Sequence, residues 1–445
     1  MSTDERQNEQ QQEQDTAREV VKMRGDSYGE IVKRQFRKNR TAVWSLRVII
    51  FLLIIALFAD FIANDKPLVA KTQDRIVFPV AKDYLVSLGM ASWPADLQNT
   101  DWKRLDYDFA IWPPVPYSAD DFDMANSNYV GPFDAQEVEG FRWRHHFGTE
   151  QIGRDVLAGM VHGTRIAMMV GVVSMSIASI IGILFGALAG YFGDNRLKIS
   201  WVRVLLNLVF LVPAIFYGFS VRSYAVSDAL ARSFGAGIAQ VVLSVLIFTG
   251  VMAVPNLLAM GLKRVPGLGR RTSVPVDIIV SRIIEVLISI PKLLLILSIV
   301  AIAKPSLVLV MVIIGATSWT GIARFTRGEL LKVRNLEYIE AANSLGYSEA
   351  RTIFRHALPN ALTPVLISIA FGVAGAILLE SFLSFLGIGV PAETVTWGKL
   401  LSLSRKAPEA WWLAIFPGFA IFITVTVYNL LGEGLTDALD PRLKQ

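Results

Sequence analysis

Cysteine is absent from this chain of 445 residues, and histidine occurs four times, with only His145 and His146 adjacent. The first absence excludes disulfides and thiolate metal sites, and the scarcity of histidine argues against an imidazole metal centre. No G-x-x-x-x-G-K-[ST] occurs, and the run GLKRVPGLGR lacks both the Lys-Ser/Thr ending and a preceding strand, so ATP is not bound in that mode. The apolar runs also lack a Ser/His pair, paired aspartates or H-E-x-x-H. Ser174, Ser176 and Ser289 have no intramembrane His or Asp beside them in sequence, which leaves helix packing as their role.

What the chain has is long apolar blocks: 53% of its residues are hydrophobic and 18% charged, with a mean hydropathy of +0.46. Blocks of this length cross a bilayer, and the fold class expected is an all-α polytopic membrane protein. The net charge of +5 comes from Lys and Arg gathered beside the apolar blocks, so it reports topology and implies no nucleic acid. Residues 1–40 read as a cytoplasmic tail, disordered over Met1 to Asp26 and basic from Lys33 to Arg40. The first span, within 41–63, runs from Trp44 to Ile62 with Arg47 snorkelling, and is an uncleaved anchor. Residues 64–159, rich in Asp, Pro and Trp, form a small extracytoplasmic domain.

Residues 160–193 carry the second span, with Gly182, Gly186 and Gly190 on one face to admit a close neighbour. Two further blocks, Val202 to Phe219 and Ile238 to Leu262, lie in 194–275. Lys198 and Arg203 flank one end and Lys263, Arg264, Arg270 and Arg271 the other, which makes a membrane hairpin with both ends in the cytoplasm. Asn207 and Pro255 within it read as helix irregularities. The rest, 276–445, holds four more spans, for eight in all. Glu285 lies one turn from Arg282 and forms an ion pair with it. Lys292 falls near mid-membrane in a span starting around Ile283; a pathway role, snorkelling and a bond to a partner all suit it.

The segment Tyr338 to Pro364 is a polar island between apolar spans. Asn335 caps a short helix, Gly346 gives its left-handed C-terminal cap, and Ser348 with Glu349 starts a second helix that ends before Pro359. Leu336, Ile339, Ala342 and Leu345 fall near one side of the first helix, while Ala341, Ala342 and Gly346 keep its profile low. Such an element is suited to docking; the alternative is an amphipathic helix lying on lipid.

Glu340, Ala341, Ala342, the glycine four residues on and Leu358-Pro359 resemble the EAA loop of ABC-importer permease subunits, and FRHALPN is similar to the dipeptide and oligopeptide branch, the DppC/OppC-like permeases. FGTEQIGRDVLAGMVHGTRIAMMVG, VDIIVSRIIEVLISIPKLLLIL, ESFLSFLGIGVPAETVTWG and GEGLTDALDPRLK resemble that family's segments in the same order, and IANDKPL is similar to the YejE subset. The resemblance covers residues 147–193 and 273–445. It implies a type I ABC importer transmembrane domain of six family spans, with 194–275 as an inserted hairpin, in a bacterial inner membrane with both termini cytoplasmic, Arg442 and Lys444 marking the second. It implies a DppB/OppB-like second permease, two ABC ATPases of the DppD/DppF or OppD/OppF kind that hold ATP and Mg, and an extracytoplasmic peptide-binding protein, with no cofactor in this chain. Coupling to the ATPases would fall to loop 335–360, with Ala341, Ala342 and Gly346 in an ATPase cleft, Glu340, Arg351 and Arg355 in polar contacts, and Pro359 locking the second helix. Glu285, Lys292 and Glu380 are the pathway candidates. Peptides are the implied cargo, with nickel complexes and other small solutes carried by related systems. A stand-alone channel or an intramembrane enzyme is the competing class.

Overall fold

The computed structural model describes residues 28–439 other than 73–74, 88–89, 95–96, 98–99, 233 and 263–270. The disordered tail over 1–26 and the roles of Lys263, Arg264, Arg270, Arg442 and Lys444 lie outside the described residues.

The described part of the N-terminal segment is helical: α1 (Tyr28–Lys38) ends in Arg37 and Lys38, where positive charge meets the negative end of the helix dipole. Asn39 then caps α2 (Arg40–Leu57) by accepting from the Ala42 amide, so the span begins four residues before the expected Trp44. A short helix, α3 (Ala59–Ile62), leads into the small domain. There β1 (Val69–Thr72), β2 (Arg75–Val77) and β3 (Phe109–Ile111) form an antiparallel sheet in the order β2-β1-β3, with α4 (Pro79–Ser87) following β2.

That domain is locked to the bundle at the start of α5 (Val156–Phe192), where Asp155 accepts from the Ala158 amide at 2.6 Å and also holds the buried His145 ring at 2.8 Å. The opposite ring nitrogen of His145 meets Asp123 at 3.1 Å and the Tyr117 ring stacks on it at 4.2 Å. Gly153, at φ +81, lies so close to the Asp123 carbonyl that a Cβ would sit 1.9 Å from its oxygen, which is why glycine is required in that turn.

The bundle is built on α5 against α11 (Leu307–Val333). Gly182, Gly186 and Gly190 face Ile322, Ala323 and Arg327 in turn, with a Cβ on Gly186 falling 2.6 Å from the Ala323 carbonyl oxygen. Gly315 returns the contact against the Ser174 carbonyl. Removing side chains at these points lets two long helices approach closely, as the glycine spacing implies. Two more spans, α14 (Leu358–Phe385) and α16 (Trp412–Leu439), pack on this pair and on α2, and α15 (Trp397–Leu403) folds back among them.

The region 194–275 is an apolar hairpin. An antiparallel ribbon of β4 (Lys198–Ser200) and β5 (Arg271–Ser273) closes its base. Its helices α6 (Trp201–Ile215), α7 (Ser223–Arg232) and α8 (Phe234–Leu262) are joined by polar bonds at two levels. Asn207 ties them: it accepts from Asn256 at 3.2 Å, and Asn256 in turn accepts from Arg203. Farther along, Arg222 bonds Ser244 at 3.1 Å and also Gln240.

The expected straight span through Lys292 is instead two helices, α9 (Val276–Ser289) and α10 (Lys292–Ile302), bent by 79°. Pro291 is the cause, since it pushes Ile290 into extended backbone (φ −89°, ψ 125°) and ends α9. Among the described residues 7 helices are long and apolar enough to cross a membrane, or 8 if the bent pair makes one crossing, which agrees with the eight expected blocks.

Candidate functional site

The polar island projects from the end of the bundle opposite the small domain, separated from it by the 37-residue length of α5, roughly 55 Å. Its first helix is α12 (Glu337–Ser344). Leu336 occupies the N-cap without a side-chain bond, while Asn335 reaches back to the Leu331 carbonyl at 3.5 Å and so does not cap it as expected. The C-terminal end closes as the sequence suggests: Tyr347 donates to the Ala342 carbonyl at 3.2 Å and Gly346 to that of Asn343 at 3.0 Å, with Gly346 at φ +77. This pair of bonds is the Schellman closure, which needs the left-handed glycine.

Ser348 accepts from the Arg351 amide and starts α13 (Glu349–Thr352). The helix does not stop before Pro359. It widens into a π turn over Ile353–Ala357 and runs on into α14, so that residues Glu349–Phe385 form one candidate span. Proline is tolerated because it sits in the first turn after the widened segment, where a missing N–H and a fixed φ cost little. The loop is thereby continuous with a membrane span.

Beneath it lies an apolar floor of Ala187, Tyr191, Leu330, Val333, Ile339 and Ile353. Ala342 faces down as well, 5% exposed, so it is not available to fill a partner's cleft. Glu340, Ala341, Gly346, Arg351, Arg355 and Pro359 are all exposed. Arg351 lies over the Tyr347 ring at 4.4 Å, and that ring stacks on His356 at 5.8 Å. The outer face also carries Leu345, 72% exposed, and Phe354, 65% exposed, with Leu336 and Tyr338 at its edge. Leu336 and Leu345 were expected to fall near one side of the helix with Ile339 and Ala342, yet they are exposed while those two are buried. A row at steps of three drifts by about 60° per step, so only its middle members face the floor. The signal for Leu345 and Phe354 was present as large apolar residues inside a polar island.

A second feature opens between α9 and α11, where a cavity of about 440 Å³ is lined by Ser281, Glu285, Ser289, Arg324 and Arg327 with Ile284 and Ile288. Glu285 is bonded to Arg282 at 2.6 Å, as the one-turn spacing implies. Arg327 is held by Asp277 through both carboxylate oxygens. Lys292, set at the start of α10 by the bend, donates to the Ser318 hydroxyl at 2.7 Å. Gly321 and Gly328 on the same helix as Ser318 face open space, in contrast to the glycines of α5. Glu380 does not belong to this groove. It is 1% exposed inside α14, where the Ser384 hydroxyl donates to it at 2.6 Å and that of Ser381 at 3.4 Å, so its role there is internal packing.

Residues 267–445 match the family described as binding-protein-dependent transport system inner membrane component, and residues 27–77 match the N-terminal TM domain of oligopeptide transport permease C. The peptidoglycan transport system permease protein YejE of Agrobacterium fabrum is 26% identical over 95% of this chain and 96% of its own length. The dipeptide transport system permease protein DppC of Bacillus subtilis is 29% identical over 68% of this chain and 70% of its own. The oligopeptide transport system permease protein OppC of Haemophilus influenzae is 25% identical over 95% and 92%. These matches begin before α2, end beyond α16 and include the projecting loop. The chain belongs to the inner membrane components of binding-protein-dependent transport systems, as a multi-pass ABC-importer permease subunit of the DppC/OppC type, not an enzyme.

Proposed function

We propose that this subunit forms half of a translocation pathway for short peptides and couples it to ATPases through residues 335–360. The observation that carries the reading is the projecting helix, glycine turn and helix whose second half is continuous with the span reaching Phe385. A force applied to α12 is passed through the buried floor and the π turn into α14, because packed elements transmit displacement instead of absorbing it. Glu340, Ala341, Arg351 and Arg355, with Leu345 and Phe354 added, meet the ATPase. Gly346 and Pro359 shape the segment. The groove holding Glu285, with Lys292 beside it at the start of α10, forms the wall of the pathway.

In this reading the projecting loop and both termini are cytoplasmic, and the small domain, 64–159, is extracytoplasmic, where a peptide-binding protein delivers the cargo. A DppB/OppB-like permease supplies the other half, and two ATPases hold ATP and Mg. Peptides are favoured by the names of the relatives, which include dipeptide and oligopeptide permeases. The hairpin over 194–275 is an addition to the six-span core that makes lateral contact with lipid or a further subunit; its ribbon-closed base supports that reading by keeping the two flanking spans side by side. A channel or an intramembrane enzyme has no use for the loop.

Gentle detergent purification of the tagged chain, followed by mass spectrometry, tests the assignment. Recovery of a second permease, ATPases and a binding protein is expected. A chain that purifies alone, under conditions that preserve other transporter complexes, would overturn it.

A further inference from the structure

Two cations beside α11, Arg324 in its groove with α9 and Lys292 at the start of α10, lack a carboxylate partner among the described residues. Arg282 is matched by Glu285 and Arg327 by Asp277. Arg324 lines the same cavity and is exposed in the chain with no ion pair, and Lys292 has a hydroxyl, that of Ser318, as its bonded partner. Arg324 sits nine residues before the end of α11 at Val333, about 14 Å inside it, and roughly 9 Å along the helix from Ser318. A positive charge that lines a cavity between two apolar helices, with no carboxylate of its own chain to match it, is free to meet an anion there. Glycine at 321 and 328 leaves the surface beside Arg324 free of side chains, so an extended molecule can lie against the helix.

We infer that the groove recognises a side-chain carboxylate on a peptide cargo, with Arg324 as the main specificity determinant and Lys292 as a second contact on the route. The planar guanidinium fork donates to both oxygens of a carboxylate at once, whereas the Lys292 ammonium offers a point charge. The neutral pairs Arg282–Glu285 and Arg327–Asp277 fix the walls and leave the net charge of the groove positive. The inference rests on the transport reading above and adds the chemistry that the pathway selects.

The test uses the complete importer, with its ATPases and binding protein, reconstituted in phosphatidylcholine vesicles. Uptake of two tripeptides that differ only as Glu or Gln at the middle position is measured for wild type, R324K and R324E. The same binding protein delivers to all three, so its own preference cancels when each variant's Glu-to-Gln ratio is divided by that of wild type. R324E is expected to lower that ratio about tenfold, and R324K to keep it within about threefold, since charge is retained and only the fork is lost. An unchanged ratio in R324E would overturn the inference and leave Arg324 a structural residue. A ratio that responds only when phosphatidylglycerol is added would overturn it in favour of a lipid phosphate as the partner. A wild-type importer that takes up neither tripeptide would sink the peptide-transport reading itself, a result distinct from a variant that transports both without preference.

Discussion

Replacement of Gly346 separates backbone geometry from bulk at the coupling loop. The residue sits at φ +77, and a Cβ there meets no atom within 4 Å, so the cost of a side chain is conformational and not steric within this chain. A left-handed alanine costs roughly 1–2 kcal/mol, asparagine less because its side chain bonds locally, and valine more because its branched Cβ crowds the backbone. If the strain is relieved by leaving the left-handed region, the two closing bonds to Ala342 and Asn343 are lost, each worth about 0.5–1.5 kcal/mol. Either route lowers the closed-to-open ratio of the loop by about tenfold for alanine. The assay is ATP hydrolysis stimulated by the loaded binding protein in reconstituted importer, beside thermal unfolding of the purified chain. Stimulation should fall in the order Gly, Asn, Ala, Val, while the unfolding midpoint moves little, because the floor under the loop is untouched. Asn and Val are similar in size; equal damage from both would show that bulk in the ATPase interface matters and refute the backbone argument, as would full stimulation with valine.

Burial lowers the pKa of His145, but the Asp155 and Asp123 carboxylates more than offset it, so the net shift is upward from 6.5. Its contribution to stability is therefore complete below that value and lost as pH rises through the folded pKa, and H145Q should flatten the alkaline limb of a tryptophan-monitored unfolding profile. Asp123 is shifted downward, with burial outweighed by bonds from Asn126 and His145, so its contribution fails only as pH falls through its folded pKa below 3.8. Gly186→Ala should cost about 1–3 kcal/mol in detergent unfolding, through the clash with the Ala323 carbonyl, whereas Gly321→Ala should be neutral or slightly stabilising. Replacing residues 201–270 by a short turn across the β4–β5 ribbon should leave a folded core, measured as a monodisperse complex with its partners, and aggregation would show that the hairpin is integral to the bundle.

The glycine face of α5 and the left-handed turn at Gly346 were legible in the sequence because each depends on one residue type with a local physical meaning. Eight apolar blocks were legible for a similar reason, since composition alone separates them. The bend at Pro291 was not, although the proline was in view, because the family-like run around it reads as one continuous apolar segment. At Pro359 the reverse happened: the proline suggested a stop, and the π turn at 353–357 carried the helix through. Glu380 was a pathway candidate but is buried under its own helix's serines, a contact that linear pattern cannot reveal. Arg324 was overlooked because a basic residue near the end of a span is expected on topological grounds, and only the pairing of Arg282 and Arg327 leaves it conspicuous.

The absence of cysteine permits the most direct test of the docking claim, since L345C and A342C each introduce a unique thiol on the same short helix. A short bifunctional crosslinker applied to the native complex should join the chain to an ATPase through position 345, exposed on the outer face, and not through position 342, which lies against the floor. Failure of L345C to crosslink to any ATPase, with its thiol instead labelled in intact cells by a maleimide that does not cross the membrane, would contradict the account.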